Sequence, residues 1–202
     1  MSANAHALAR YAALCQEQQL VPIVEPEVLM DGSHTIERCE EVTGSILHAV
    51  FNSLCDQRVS LESMLLKPNM VIAGKECTRQ ASVEEVATTT LRCLRRHVVA
   101  VPGVVFLSGG QNALLATAHL NAINRLPARR RRSVLLRASA SGPGAGGMAW
   151  HGREENLAAG QQALYRRARS NGAASVGKYR DEMELESAGA DDPPHRRGWR
   201  DD

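Results

Sequence analysis

Three short apolar runs, each closed by a polar residue and each next to stretches of helical periodicity, constrain the fold of this chain more than any other feature. They are "LVPIVE" ending at Glu25, "MLLK" ending at Lys67 and "GVVFLS" ending at Ser108. Runs this short and without polar alternation suit strands buried on both faces. Pro22 stands near the start of the first run, where a missing backbone donor is tolerated, and Pro68 ends the second. Around them, Leu8, Tyr11, Ala12 and Cys15 share one helical face, and Ile36, Cys39, Ile46, Leu47, Val50 and Leu54 recur at helical intervals. "SVEEVATTTLRCLRRHV" opens on the capping-box pair Ser82 and Glu85 and carries Val83, Val86, Ala87, Leu91 and Leu94 on one side. A further helical stretch includes Leu115, Ala118 and Ile123. Apolar strands alternating with helices predict right-handed βαβ units, hence an α/β fold with a parallel sheet covered by helices.

The same alternation locates the candidate chemistry. In a parallel barrel the C-terminal strand ends open onto one mouth, where Glu25, Lys67 and Ser108 would converge. Of the 24 basic residues only Lys67, Lys75 and Lys178 are lysines, and Lys67 alone lies in apolar sequence. A partly desolvated lysine amine is more often neutral, and the neutral amine attacks a carbonyl to form a Schiff base. A strand-end carboxylate such as Glu25 would move the protons that carbinolamine formation requires. Each residue also has a plainer reading. Lys67 could snorkel from the strand end to a structural ion pair, Glu25 and Glu27 could be solvated loop carboxylates, and "SGGQ" could be an ordinary glycine turn rather than a phosphate loop. Spacing alone leaves both sets of readings open.

After Leu126 the text turns rich in arginine, glycine and alanine, and it reads as a poorly formed segment. Helical spacing returns with Leu157, Leu164 and Ala168, Asn171-Gly172 reads as its stop, and a tail is expected from Lys178 onward. The expected organisation is therefore a (β/α) unit over 1–126, a divergent segment over 127–150, a helical region over 151–179 and a disordered tail over 180–202.

Cys15, Cys39, Cys55, Cys77 and Cys93 make no CxxC pair and no zinc-like spacing, so reduced thiols, no metal and a cytoplasmic location are expected. The N-terminus lacks the pattern of a secretory signal, and no run of about 18 apolar residues suggests a membrane span. A formal net charge of +2 offers no global attraction to nucleic acid. The Arg129 to Arg132 run has no interleaved aromatics, so it reads as a solvated stretch and no nucleic-acid partner is expected.

Several stretches together resemble class I fructose-bisphosphate aldolases, the animal- and plant-type Schiff-base enzymes. They are "LARYAALCQ" from Leu8, "VPIVEPE" from Val21, "LLKPNMV" from Leu65, "FLSGGQ" from Phe106, "LNAINRLP" from Leu120, "ENLAAGQQALYRRA" from Glu155 and "GKY" from Gly177. The resemblance implies the C-terminal half of a TIM (β/α)8 barrel that cleaves fructose 1,6-bisphosphate to dihydroxyacetone phosphate and glyceraldehyde 3-phosphate without a metal or other cofactor. It implies that Lys67 is the Schiff-base lysine, Glu25 the acid/base, Glu27 a supporting carboxylate, and Ser108, Gly109 and Gly110 the loop for a substrate phosphate. It further implies a sugar bisphosphate as substrate, self-association, since the family is typically homotetrameric, and contacts with cytoskeletal proteins. An aldolase-derived interaction protein without activity is the alternative. Two departures qualify the match. The matching text starts near the middle of the family pattern, so only half the barrel strands are expected. Where the family's last strand ends in Ser-Tyr-Gly-Arg, this chain reads "LRASA", with Ala140 at the arginine position and Arg137 three residues earlier. That strand is therefore expected to be disrupted.

Overall fold

The computed structural model describes residues 1–107, 109–126, 135–138 and 154–186. The elements run α1 (Ser2–Glu17), β1 (Ile23–Val24), α2 (Ile36–Asp56), a 3-10 turn (Leu61–Ser63), β2 (Leu65–Leu66), α3 (Val83–His97), β3 (Gly103–Phe106), α4 (Ala113–Arg125), β4 (Leu135–Ala138), α5 (Glu154–Ala174) and α6 (Glu182–Glu186). The strands form one four-stranded sheet in chain order, β1-β2-β3-β4, and every pairing is parallel. Helices pack on their sequence neighbours, α1 on α2, α2 on α3, α3 on α4 and α4 on α5. This is the strand-then-helix arrangement of an open segment of a barrel.

Apolar burial fixes the arrangement. Val24, Leu66, Val104 and Phe106 of the strands are at most 1% exposed, and Leu47, Val50 and Leu54 of α2 are buried in the same core. The cap of α3 is a complete capping box: Glu85 N–H donates to Ser82 Oγ at 3.2 Å and Ser82 N–H to Glu85 Oε2 at 2.9 Å. Two orphan donors are thereby satisfied where the chain enters the helix.

Four local readings need correction. The inward face of α1 is Ala5, Ala9 and Ala12, whereas Tyr11 is 46% exposed; small residues let α1 approach α2 closely, which a tyrosine would prevent. On α4 the polar Thr117, His119 and Asn121 are buried while Leu115 is exposed, because partners for the polar groups lie on neighbouring elements. The strand expected to be disrupted is present: Leu135–Ala138 pairs with β3, with Arg137 in register with Val105. Ala140 and Arg129 to Arg132 lie outside the described residues.

The fourth correction concerns the C-terminal part. Helix α5 continues three residues past Asn171 to Ala174, and Gly177, at φ +68°, makes the turn instead. The chain beyond Lys178 is ordered as far as α6. Tyr179 is buried, its N–H donates to Asn121 Oδ1 at 3.0 Å, and Asn121 Nδ2 donates back to its carbonyl at 3.3 Å. Arg167 of α5 pairs with Glu184 of α6.

Candidate active site

The site begins with the register of two strands. Ile23 pairs with Leu65 and Val24 with Leu66, and Lys67 N–H extends the ladder to the Val24 carbonyl at 2.8 Å. The next side chains, Glu25 and Lys67, therefore leave adjacent strand ends side by side. Lys67 Nζ lies 2.9 Å from Glu25 Oε1, with the side chains 27% and 45% exposed. An ion pair this open to water adds little stability. Its importance is chemical: it places an amine and a carboxylate in proton-transfer contact at a position a ligand can reach.

The backbone around Lys67 is held on both sides. The Pro68 carbonyl accepts from Leu107 N–H at 3.2 Å, which ties the end of β2 to the end of β3. Asn69 is 2% exposed; its Oδ1 accepts from Val28 N–H at 3.0 Å, and its Nδ2 donates to Thr43 Oγ1 at 3.3 Å and to the Met70 carbonyl at 3.0 Å. One buried amide thus fixes the loop that carries Glu27 to the loop that carries Lys67. Sequence reasoning missed Asn69, whose only signal is a polar residue inside the apolar "KPNMV".

Glu27 is exposed and makes no described contact with Lys67; with Glu25 it lines a cleft of about 490 Å³ between α1 and α2. Gly109 and Gly110 turn after β3 with φ of +57° and +74°, the left-handed region that glycine adopts without strain. Ser108 lies outside the described residues. The turn is fixed to α4 by His119, whose Nδ1 sits 2.7 Å from Gln111 Oε1. Burial pushes the His119 pKa down to about 4, so at neutral pH the ring is uncharged in this contact. Lys75, to which the spacing assigned no role, reaches the same turn, and its Nζ pairs with Asp31 Oδ1 at 3.1 Å. Among the described residues no group of three or more His, Cys, Asp or Glu side chains is placed to hold a metal ion, and no helix is long and apolar enough to cross a membrane.

A lysine paired with a carboxylate is suited to carbonyl chemistry, because the carboxylate can take the proton that keeps the amine from attacking. The amine adds to the carbonyl carbon, and the protonated carboxyl returns its proton to the carbinolamine oxygen, which leaves as water.

The family model "Fructose-bisphosphate aldolase class-I", a glycolytic family, matches residues 1–193. Fructose-bisphosphate aldolase of Echinococcus multilocularis is 49% identical over 184 residues, covering 91% of this chain and 51% of the relative. That of Drosophila melanogaster is 49% identical over 177 residues, 87% of this chain and 49% of the relative. A structure of the Plasmodium falciparum aldolase, solved in complex with TRAP and a small-molecule inhibitor, superposes with a TM-score of 0.80 at 46% identity, covering 88% of this chain and 51% of that one. The chain spans about half the length of the curated relatives it matches.

Proposed function

Because the chain belongs to the class I fructose-bisphosphate aldolase family, we propose that Lys67 is its Schiff-base nucleophile and Glu25 the acid/base that serves it. The reaction is cleavage of fructose 1,6-bisphosphate to dihydroxyacetone phosphate and glyceraldehyde 3-phosphate. The observation that carries this reading is the 2.9 Å contact between Lys67 Nζ and Glu25 Oε1 at neighbouring strand ends. When the sugar carbonyl arrives, Glu25 takes a proton from the ammonium and the freed amine attacks the C2 carbon. Loss of water leaves an iminium that withdraws the electron pair of the C3–C4 bond, so that bond breaks as the C4 hydroxyl gives its proton to the Glu25 carboxylate and glyceraldehyde 3-phosphate departs. The resulting enamine is protonated at C3, and hydrolysis of the imine releases dihydroxyacetone phosphate and restores Lys67.

Glu27 supports the site as a second carboxylate near Glu25, and the loop Ser108, Gly109 and Gly110 receives a substrate phosphate. In this reading the protein works in the cytoplasm as a self-associating glycolytic enzyme. A second reading, a non-catalytic interaction protein that keeps the family's surface, has in its favour the relative from Plasmodium falciparum, whose structure contains TRAP as a partner.

An aldol-cleavage assay separates the two. The chain should turn over fructose 1,6-bisphosphate well below the rate of full-length relatives. Lys67→Ala should abolish that turnover, and Glu25→Gln should lower it on the order of a hundredfold, the usual loss when a positioned proton-transfer group is removed. Turnover unaffected by Lys67→Ala would refute the proposal.

A further inference from the structure

We propose that Lys75 is a phosphate-binding residue of this site, its ammonium placed at the Gly109–Gly110 turn to hold the dianionic phosphate monoester of a sugar-phosphate substrate. The inference rests on the aldolase reading above and adds to it a residue that the family match does not assign.

Three backbone hydrogen bonds hold Lys75. Gly74 N–H donates to the His34 carbonyl at 2.8 Å, Lys75 N–H to the Met30 carbonyl at 2.8 Å, and Glu76 N–H to the Gly32 carbonyl at 3.0 Å. The loop after β2 is thereby zipped to the loop after β1. The contact requires glycine at position 74, where a Cβ would stand 2.3 Å from the Gly32 carbonyl oxygen. From this fixed backbone the side chain crosses to the turn after β3. A Cβ on Gly110 would stand 2.9 Å from Lys75 Nζ and 3.0 Å from its Cε. The ammonium therefore lies against backbone that carries no side chain, and a phosphate oxygen can reach both.

Asp31 holds the lysine in this pose. The two side chains are 55% and 72% exposed, so water screens their attraction and the pair is weak. A phosphate monoester offers nearly two charges and three acceptor oxygens where Asp31 offers one charge, so it competes well for the same ammonium. Lysine suits the task, because a compact charge with three rotatable donors binds phosphate without demanding one orientation.

The test compares borohydride trapping on Lys67 with dihydroxyacetone phosphate and with dihydroxyacetone, which differ only in the phosphate. In the unaltered chain the phosphorylated ketone should trap at the lower concentration. Lys75→Met should narrow that preference about tenfold, the loss expected of one charge-assisted contact, and Lys75→Arg should restore part of it. An unchanged preference in Lys75→Met overturns the proposal. Failure of both ketones to label Lys67 would instead overturn the aldolase reading. In that case ³¹P line broadening of titrated inorganic phosphate decides Lys75 separately: relief of the broadening in Lys75→Met supports the residue as a phosphate binder, and broadening equal to that of the unaltered chain sinks it.

Discussion

His119 couples the glycine turn to solution pH. The residue is 3% exposed, and its ring is neutral when folded, with the pKa lowered to about 4 from an ordinary value of 6.5. The unfolded chain binds this proton at higher pH than the folded one does, so the stability His119 contributes is complete above about pH 6.5 and is lost as pH falls through about 4. At 1.36 kcal/mol per pKa unit the full loss is about 3 kcal/mol. Urea unfolding midpoints measured from pH 7.5 to 4 should fall with acid, and His119→Gln should flatten that part of the profile; an identical slope in the variant would contradict this role. Asn69 admits a similar test. Asn69→Leu leaves Val28 N–H without its acceptor and should destabilise by about 1–3 kcal/mol, the range for one orphaned buried donor. Lys67 and Glu25 were legible in the sequence because each follows an apolar run. Asn69 and Lys75 were not, because their partners lie 41 and 44 residues away and nothing local announces them.

At the scale of elements, what was legible depended on whether the deciding contacts were local. The start of α3 could be read because both halves of its capping box sit three residues apart. The face of α1 could not, because Ala5, Ala9 and Ala12 are chosen by how closely α2 approaches rather than by hydrophobicity. The polar interior of α4 depends on partners reached across the fold, such as Asn171 from Thr117 at 2.7 Å and Tyr179 from Asn121. Strand β4 lies in text that reads as Arg- and Gly-rich, yet it pairs with β3 over four residues. The tie between Asn121 and Tyr179 is expected to hold the segment running into α6 on the end of α4. Asn121→Ala should cost about 1–3 kcal/mol as both backbone groups lose their partner and should speed hydrogen exchange at the Tyr179 amide. Unchanged exchange there would show that other contacts hold the segment.

At the scale of the molecule, the four strands among the described residues leave β1 as an edge, where Ile23 is 46% exposed and Leu20 and Val21, just before the strand, are 62% and 65% exposed. An open edge with exposed apolar residues favours association. Light scattering should therefore report species above 21.9 kDa that grow with concentration, and Ile23→Lys should reduce them. A sharp monomer at all concentrations would contradict this. The α/β class was legible because the strand–helix rhythm needs no long-range information, whereas the mutual placement of loops after different strands emerges only on folding. The register of β1 and β2 sets Lys67 beside Glu25, and the proposed function requires that Lys67 form an imine there. The most direct measurement is peptide mapping after borohydride reduction with dihydroxyacetone phosphate, on the unaltered chain and on Lys67→Ala. A single adduct on Lys67, absent from the variant, is expected; an adduct on Lys75 or Lys178, or equal labelling of the variant, would contradict the assignment of Lys67.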